Sequence, residues 1–366
     1  MRFFLIPFFF ILAGNGARGQ SSPPNISVIG YYSGDAAKIT AYPVEKLTHI
    51  IFSFCHLKGN RLSVNSLRDT LTIQQLVSLK SRNPSLKVIL SLGGWGGCET
   101  CSAVFSTHKG RKQFARSVKK LNRYFKTDGL DLDWEYPGIP GYPGHAFSAG
   151  DRSNFTALVQ ALRKKLGKNK EISFAAGGFT AFLAESIEWQ KITPLVDKVN
   201  LMTYDLVHGA STVSGHHTPL YSTLQQVEST DHAVRFLDSI GVPRNKMVIG
   251  GAFYSRIFDI TTDDTLGLYQ PGKFFRGIAY KNFNLDSLQN EGFIPYWDDA
   301  AKAPYMYSPK KRQLITGDNE RSIMLKTRYA IDKKLNGIMF WQLADDKAKE
   351  GLLDAIDKVL KEPQGF

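Results

Sequence analysis

The run Asp128-Gly129-Leu130-Asp131-Leu132-Asp133-Trp134-Glu135-Tyr136-Pro137 places four carboxyl groups in eight positions, among residues that favour strands. A buried strand ordinarily avoids such groups, because an unpaired ionised carboxylate loses more on desolvation than packing returns. Side chains alternate along a strand, so Asp131, Asp133 and Glu135 share one face and Leu130, Leu132 and Trp134 the other. At strand rise, successive acids on that face stand about 6.6 Å apart. So close together in a low dielectric, they cannot all ionise near neutral pH, and at least one pKa must rise. A carboxyl with a raised pKa is a general acid that works near neutrality. A solvated edge strand or a calcium loop would also gather acids. The apolar opposite face argues against the first. An EF-hand needs a glycine at its sixth loop position and a glutamate at its twelfth, a spacing this run lacks.

The elements that must carry these residues repeat along the chain. Strand patterns at 26–32, 48–57, 87–94, 129–136, 171–178, 198–205, 246–253 and 337–344 alternate with helical patterns at 73–81, 103–126, 148–166, 224–240 and 318–334, and a last helix runs to about residue 360. The strands are apolar on both faces, as parallel strands under helices must be. Eight repeats predict an α/β fold, a closed (β/α)₈ barrel, and the lack of G-x-G-x-x-G after the first strand argues against a dinucleotide fold. Residues 255–317 separate the seventh strand from the next helix. They are rich in Tyr, Phe and Trp, too long for a bare loop, and predict a small α+β insertion. Barrel sites form at the C-terminal ends of strands. Those ends carry Tyr31, Ser91, Gly94, Trp95, Asp133, Glu135, Tyr136, Met202, Tyr204, Asp205, Trp341 and Gln342, with Tyr254 and Arg256 just past the seventh. Aromatic faces beside carboxylates suit a saccharide, with stacking for the apolar ring faces and acceptors for hydroxyls and amides.

Composition narrows the classes further. The chain has 366 residues and a formal charge of +13. Residues 1–19 predict a secretory signal peptide, with Arg2, an apolar run from Phe3 to Ala13 too short to span a bilayer, and a small-x-small site at Ala17-Arg18-Gly19. The remaining 20–366 are expected to form the barrel that carries the site, interrupted by 255–317. No later segment reads as a membrane span, and the expected protein is secreted, to the outside or the periplasm. Lys and Arg are spread rather than clustered, which argues against nucleic acid. Cys98 and Cys101 lack further nearby ligands for zinc and predict a local disulfide, while Cys55 reads as a buried thiol. Asn25 and Asn154 head glycosylation sequons.

At this point the sequence resembles a known family. DGLDLDWE fits the D-x-x-D-x-D-x-E signature of the family 18 glycoside hydrolases, the chitinases and their relatives. SLGG and MTYD fit that family's motifs on the third and sixth strands, Trp341 fits its strand-eight tryptophan, and the insertion resembles its chitinase insertion domain. The resemblance implies Glu135 as general acid and base, Asp133 as partner of the substrate's acetamido group, Asp131 sharing a proton with Asp133, and Tyr204 holding the acetamido oxygen. It implies substrate contacts from Tyr31, Phe54, Gly94, Trp95, Tyr136, Met202, Asp205, Tyr254, Arg256 and Trp341. It implies a monomer acting on chitin or N-acetylglucosamine oligomers, with no cofactor and no metal. Asp128, on the opposite parity, is structural. The family's stacking tryptophan after MTYD is missing here. Ser211 and Thr212 stand in that region, which predicts either weaker binding on the leaving-group side or binding there by Trp95 or Trp297. An endo-acting hydrolase of N-glycans and a non-catalytic chitin-binding lectin are the alternatives.

Overall fold

The computed structural model describes residues 26–262 and 265–362. The expected signal peptide and the Asn25 sequon lie outside them. The chain opens with β1 (Ser27–Tyr32), β2 (His49–Lys58), β3 (Arg61–Ser63), α1 (Leu67–Ser78) and β4 (Lys87–Gly93). It continues with α2 (Cys101–Phe105), α3 (His108–Phe125), β5 (Gly129–Asp133), α4 (Asp151–Leu166), β6 (Glu171–Gly177), α5 (Thr180–Glu185), α6 (Trp189–Ile192) and β7 (Lys198–Met202). Then come α7 (Thr230–Ser239) and β8 (Met247–Ala252). The second half holds β9 (Tyr254–Ile260), β10 (Gly272–Ala279), α8 (Leu285–Asn290), β11 (Ile294–Asp298), β12 (Ala303–Ser308), β13 (Gln313–Gly317), α9 (Glu320–Asp332), β14 (Gly337–Trp341) and α10 (Leu352–Lys361).

Eight strands pair in parallel in the order β1-β14-β8-β7-β6-β5-β4-β2, and β1 pairs with β2 to close the ring. This is the (β/α)₈ barrel expected from the repeats. Outward residues such as Val28, Ile50, Leu90, Leu132, Phe174, Leu201 and Phe340 are buried beneath the helices in one continuous apolar layer. Inward residues Ile29, Tyr31, Ile51, Ile89, Ala175, Met202, Val248 and Met339 fill the interior. The barrel is therefore a packed core rather than a pore.

Several boundaries differ from the sequence reading. The helix expected at 103–126 is two, because Thr107 caps α3, its hydroxyl accepting from the Gly110 N–H. The helix expected at 224–240 begins only at Thr230, where the Ser229 hydroxyl accepts from the His232 N–H. The strand expected to reach Tyr136 stops at Asp133. There the neighbouring β4 leaves the ladder at Gly93 and Gly94, whose φ of 108° and 78° only glycine adopts without strain. Cys98 and Cys101 are disulfide-bonded, and Cys55 is a buried free thiol. Asn154 sits in the first turn of α4, half-buried and bonded to Arg111, with Thr156 buried, a poor acceptor for a glycan.

Between β8 and α9 the chain builds an antiparallel sheet in the order β10-β9-β13-β12-β11, with α8 against one face. A fully buried ion pair ties this insertion to the barrel. Lys326 on α9 donates to Asp318 Oδ2 at 2.7 Å and to the Thr218 hydroxyl at 2.5 Å, while the Ala252 N–H at the end of β8 donates to the same carboxylate at 2.9 Å.

The N-terminal mouth of the barrel is closed by charge, which the sequence reading missed. Glu171 at the start of β6 accepts from Lys87 Nζ and Lys198 Nζ, each at 2.8 Å, and its other approach is the His49 ring at 3.1 Å. Burial alone would raise the Glu171 carboxyl, but His49 and Lys198 hold it well below the usual carboxylate range. Removing one partner from a buried charge cluster leaves the others uncompensated, so Glu171→Gln is expected to cost about 3 kcal/mol in thermal unfolding at pH 7. A depressed carboxyl stabilises the fold above its ordinary range and loses that contribution as pH falls. The gap between wild type and variant is therefore expected to narrow in acid, and a gap that widens there would overturn this account.

Candidate active site

Four strands of the barrel converge on Asp131. Its Oδ1 accepts from the Ser173 hydroxyl at 2.6 Å and from Asn200 Nδ2 at 3.1 Å; its Oδ2 accepts from the Ser91 hydroxyl at 2.9 Å and the Tyr31 hydroxyl at 3.1 Å. Four strands thus each send one donor to a carboxylate with no exposure to solvent. Burial raises the Asp131 carboxyl, and these four bonds oppose the rise. Neighbouring donors thus serve both Asp131 oxygens.

Asp133, two residues on, is the opposite case. It is 4 % exposed, and its Oδ1 is buried without a hydrogen-bond partner. Burial, then the Glu135 and Asp131 charges, push its carboxyl well above the usual range. Glu135 lies past the strand, in the turn that follows β5. Burial pushes its carboxyl up to about 7, the Tyr136 hydroxyl beside it pulls it back, and the Asp205 charge adds to the rise. The three acids are therefore graded, from one held by four donors, through one orphaned, to one poised to carry a proton near neutrality. Asp128 stands apart from them. It accepts from Lys80 Nζ at 2.6 Å and the Val88 N–H at 2.7 Å, fixing the start of β5 as a structural residue.

The far wall comes from β7 and β9. The Thr203 hydroxyl accepts from the Gly250 N–H at 3.0 Å, and the Thr203 carbonyl accepts from the Thr218 hydroxyl at 3.0 Å, which fixes the backbone ahead of Tyr204. Tyr204 meets Tyr254 edge-on at 6.3 Å. Burial and then the Asp133 charge raise its phenol well above its ordinary value, so it remains a donor. Asp205 holds a φ of 55°, in the left-handed region. Arg256 Nε donates to Asp205 Oδ1 at 2.5 Å, and its guanidinium also lies over the rings of Tyr254 and Phe274. Burial would raise the Asp205 carboxyl, but His217 and Arg256 hold it below the usual range.

His217 was not singled out in the sequence. It is fully buried, accepts from the Asp205 N–H on Nδ1 at 3.3 Å and faces the Tyr254 carbonyl with Nε2 at 3.3 Å. Burial lowers its pKa and the Asp205 carboxylate opposes that shift, while the ring bridges the two walls. It sits in an irregular stretch with no period to mark it.

Aromatic rings floor the site. Trp341 stacks on Phe54 at 5.5 Å and 13°, and Tyr31 approaches it at 6.1 Å. Gly94 makes this possible, since a Cβ there would meet the Phe54 ring at 2.3 Å. Met202 packs among the inward residues below. Three non-proline peptides at these strand ends, Ser53-Phe54, Glu135-Tyr136 and Trp341-Gln342, are cis. Trp95 is 58 % exposed and tilts toward Tyr136 at 6.5 Å. Trp297, the other candidate for the leaving-group side, lies on β11 of the insertion, with the Arg321 guanidinium 3.7 Å from the centre of its ring.

The sequence pattern of the glycosyl hydrolases family 18 matches residues 27–346, spanning all eight barrel strands and the insertion. The chain belongs to glycoside hydrolase family 18. Among relatives, this family 18 chain is 33 % identical over 306 residues to Chitinase A1 of Niallia circulans, covering 76 % of this chain and 43 % of that protein. It is 31 % identical over 328 residues to mouse Chitotriosidase-1, covering 82 % and 68 %. A solved family 18 N-acetylglucosaminidase from Paenibacillus barengoltzii superposes with a TM-score of 0.81 at 33 % identity, over 92 % of this chain and all of that one. The family 18 chain thus spans less than half the length of the bacterial chitinase it matches. Among the described residues, no helix is long and apolar enough to cross a membrane.

Proposed function

We propose that this chain is a secreted chitinase that cleaves β-1,4 bonds between N-acetylglucosamine units with retention of configuration. The observation that carries the reading is the orphaned, buried Asp133 Oδ1 beside a Glu135 carboxyl raised to about 7. A buried acceptor without a donor is costly unless a ligand supplies one. The N–H of a 2-acetamido group is such a donor. Family 18 enzymes are among the exceptions to the two-carboxylate scheme of glycosidases. In the proposed reaction Glu135 gives its proton to the glycosidic oxygen as the bond to the anomeric carbon breaks. The acetamido carbonyl oxygen attacks that carbon and closes an oxazolinium ring. Asp133 accepts the acetamido N–H and offsets the positive charge, while the Tyr204 hydroxyl steadies the acetamido oxygen. Glu135, now a carboxylate, takes a proton from the water that opens the ring and regains its acid form. Two displacements at one carbon restore its configuration, and no step asks for a protein nucleophile, cofactor or metal. Asp205 and Arg256, with Tyr254, line the side wall, and Trp341 with Phe54 and Tyr31 offers the stacking floor.

The relative from Paenibacillus, an N-acetylglucosaminidase by name, supports a second reading in which single sugars are released. The test is turnover of chromogenic glycosides of one, two and three N-acetylglucosamine units by the purified chain, beside an N-glycosylated protein. Turnover of the longer glycosides, with the glycoprotein untouched, is expected. Turnover of the one-unit glycoside alone would favour the second reading. Release from the glycoprotein alone would favour the N-glycan hydrolase, and oligomer binding without any turnover the lectin.

A further inference from the structure

The loop between β5 and α4, residues 134–150, carries a set of rings that the catalytic chemistry does not use. Gly141 lies so close to the Glu135 carbonyl that a Cβ would meet its oxygen at 2.0 Å, so the loop is pinned directly over the catalytic turn. From that anchor Tyr142 reaches across Gly96, and its ring meets Trp95 edge-on at 5.5 Å and 68°. The His145 ring follows at 4.8 Å from Tyr142. The His145 N–H donates to the Tyr142 carbonyl at 3.0 Å, which closes the turn that holds both rings. Tyr136, Trp95, Tyr142 and His145 thus form an unbroken series of ring contacts from the residue beside Glu135 outward to the surface.

Trp95 is 58 % exposed and Tyr142 38 %. Neither ring is needed to cover the core, and an exposed apolar surface continuous with a cleft marks a place where a ligand sits. Two rings at 68° make a corner with a flat face and a side wall. A pyranose has the matching shape, with an apolar face of axial C–H bonds and a polar equatorial rim. The imidazole of His145 adds a hydrogen-bonding group at the outer end of the corner, where hydroxyls of that rim would lie.

We propose that Tyr142 and His145 form an additional saccharide subsite beyond Trp95, which grips the outer units of a β-1,4-linked N-acetylglucosamine chain and makes the protein favour long oligomers over short ones. The inference rests on the chitin reading given above. The loop is fixed by Gly141 and by its own turn, so little ordering is lost on binding. The occupant is more of the same polymer, because the ring series runs without a break into the cleft at Glu135.

The test is calorimetric affinity for N-acetylglucosamine oligomers of three and six units, measured in the Glu135→Gln background so that no ligand is consumed. Loss of one stacking ring is expected to weaken six-unit binding about tenfold in Tyr142→Ala, and three-unit binding less than about twofold. Tyr142→Trp is expected to retain most of the six-unit affinity, since it keeps a ring. His145→Ala is expected to show a smaller loss with the same dependence on length, and gives a second route should Tyr142→Ala misfold. Equal losses for the two lengths, or none, would overturn the outer subsite while leaving the chitin reading intact. Failure of every oligomer to bind the Glu135→Gln parent would overturn both.

Discussion

Glu135→Gln is expected to lower turnover of a chromogenic chitobioside by about a thousandfold, as loss of a positioned general acid does, and to leave oligomer binding within a few-fold of wild type. Gln keeps the size of the side chain and its place in the turn after β5 but has no proton to give the departing oxygen. Burial, with the Asp205 charge and against the Tyr136 hydroxyl, sets the Glu135 carboxyl at about 7. The acid form is the one that starts the reaction, so wild-type turnover is expected to decline as pH rises through about 7, where the proton is lost. The residual rate of the variant has no such limb. The Glu135 charge helps raise the Asp133 carboxyl, so the two acids titrate together and the limb reports the pair. A variant keeping a tenth or more of wild-type turnover, or one with the same alkaline limb, would remove Glu135 from the acid role.

The sequence exposes this site unevenly, for physical reasons. Each strand's inward parity can be read locally. The alternation of Asp131 and Asp133 with Leu130 and Leu132 predicts an acidic inner face on β5, and both acids do face the barrel interior. What local pattern does not contain is the stagger between strands. Ser91 and Ser173 stand level with Asp131 on the two neighbouring strands, but Asn200 reaches it from β7, where it pairs with Ala175 rather than Ser173. The four donors to Asp131 therefore share no sequence spacing. The cluster of Glu171, Lys87, Lys198 and His49 is hidden in the same way, since each residue begins or nearly begins its own strand and looks like an ordinary polar boundary. The strand carrying the acids also ends two residues short of Glu135, because its ladder partner turns away at Gly93. His217 and Tyr142 are harder still. Both lie in loops, where no period distinguishes a residue facing the cleft from one facing water.

Asp133→Asn is expected to make the protein more stable and nearly inactive, a combination that a merely structural residue would not give. The buried Oδ1 has no donor, and the Glu135 and Asp131 carboxyls crowd the charge from both sides. An amide of the same size removes the charge and offers N–H groups to those neighbouring carboxyls. The expected gain is about 1–2 kcal/mol in thermal unfolding at pH 7, the usual return on relieving an uncompensated buried polar group. Its pH dependence follows from the sign of the shift. A carboxyl raised in the folded state favours its protonated form there, so ionisation costs stability above the folded pKa and costs nothing below the unfolded one. The advantage of the variant is therefore expected to be largest at neutral and alkaline pH and to fade below about pH 4, where the unfolded carboxyl is itself protonated. Turnover is expected to fall by about a hundredfold or more, since the amide can no longer offset the positive oxazolinium by charge. A less stable variant with most of its activity would mean that Asp133 already has a partner in the resting protein. The orphaned oxygen would then not be the acceptor that awaits the acetamido group.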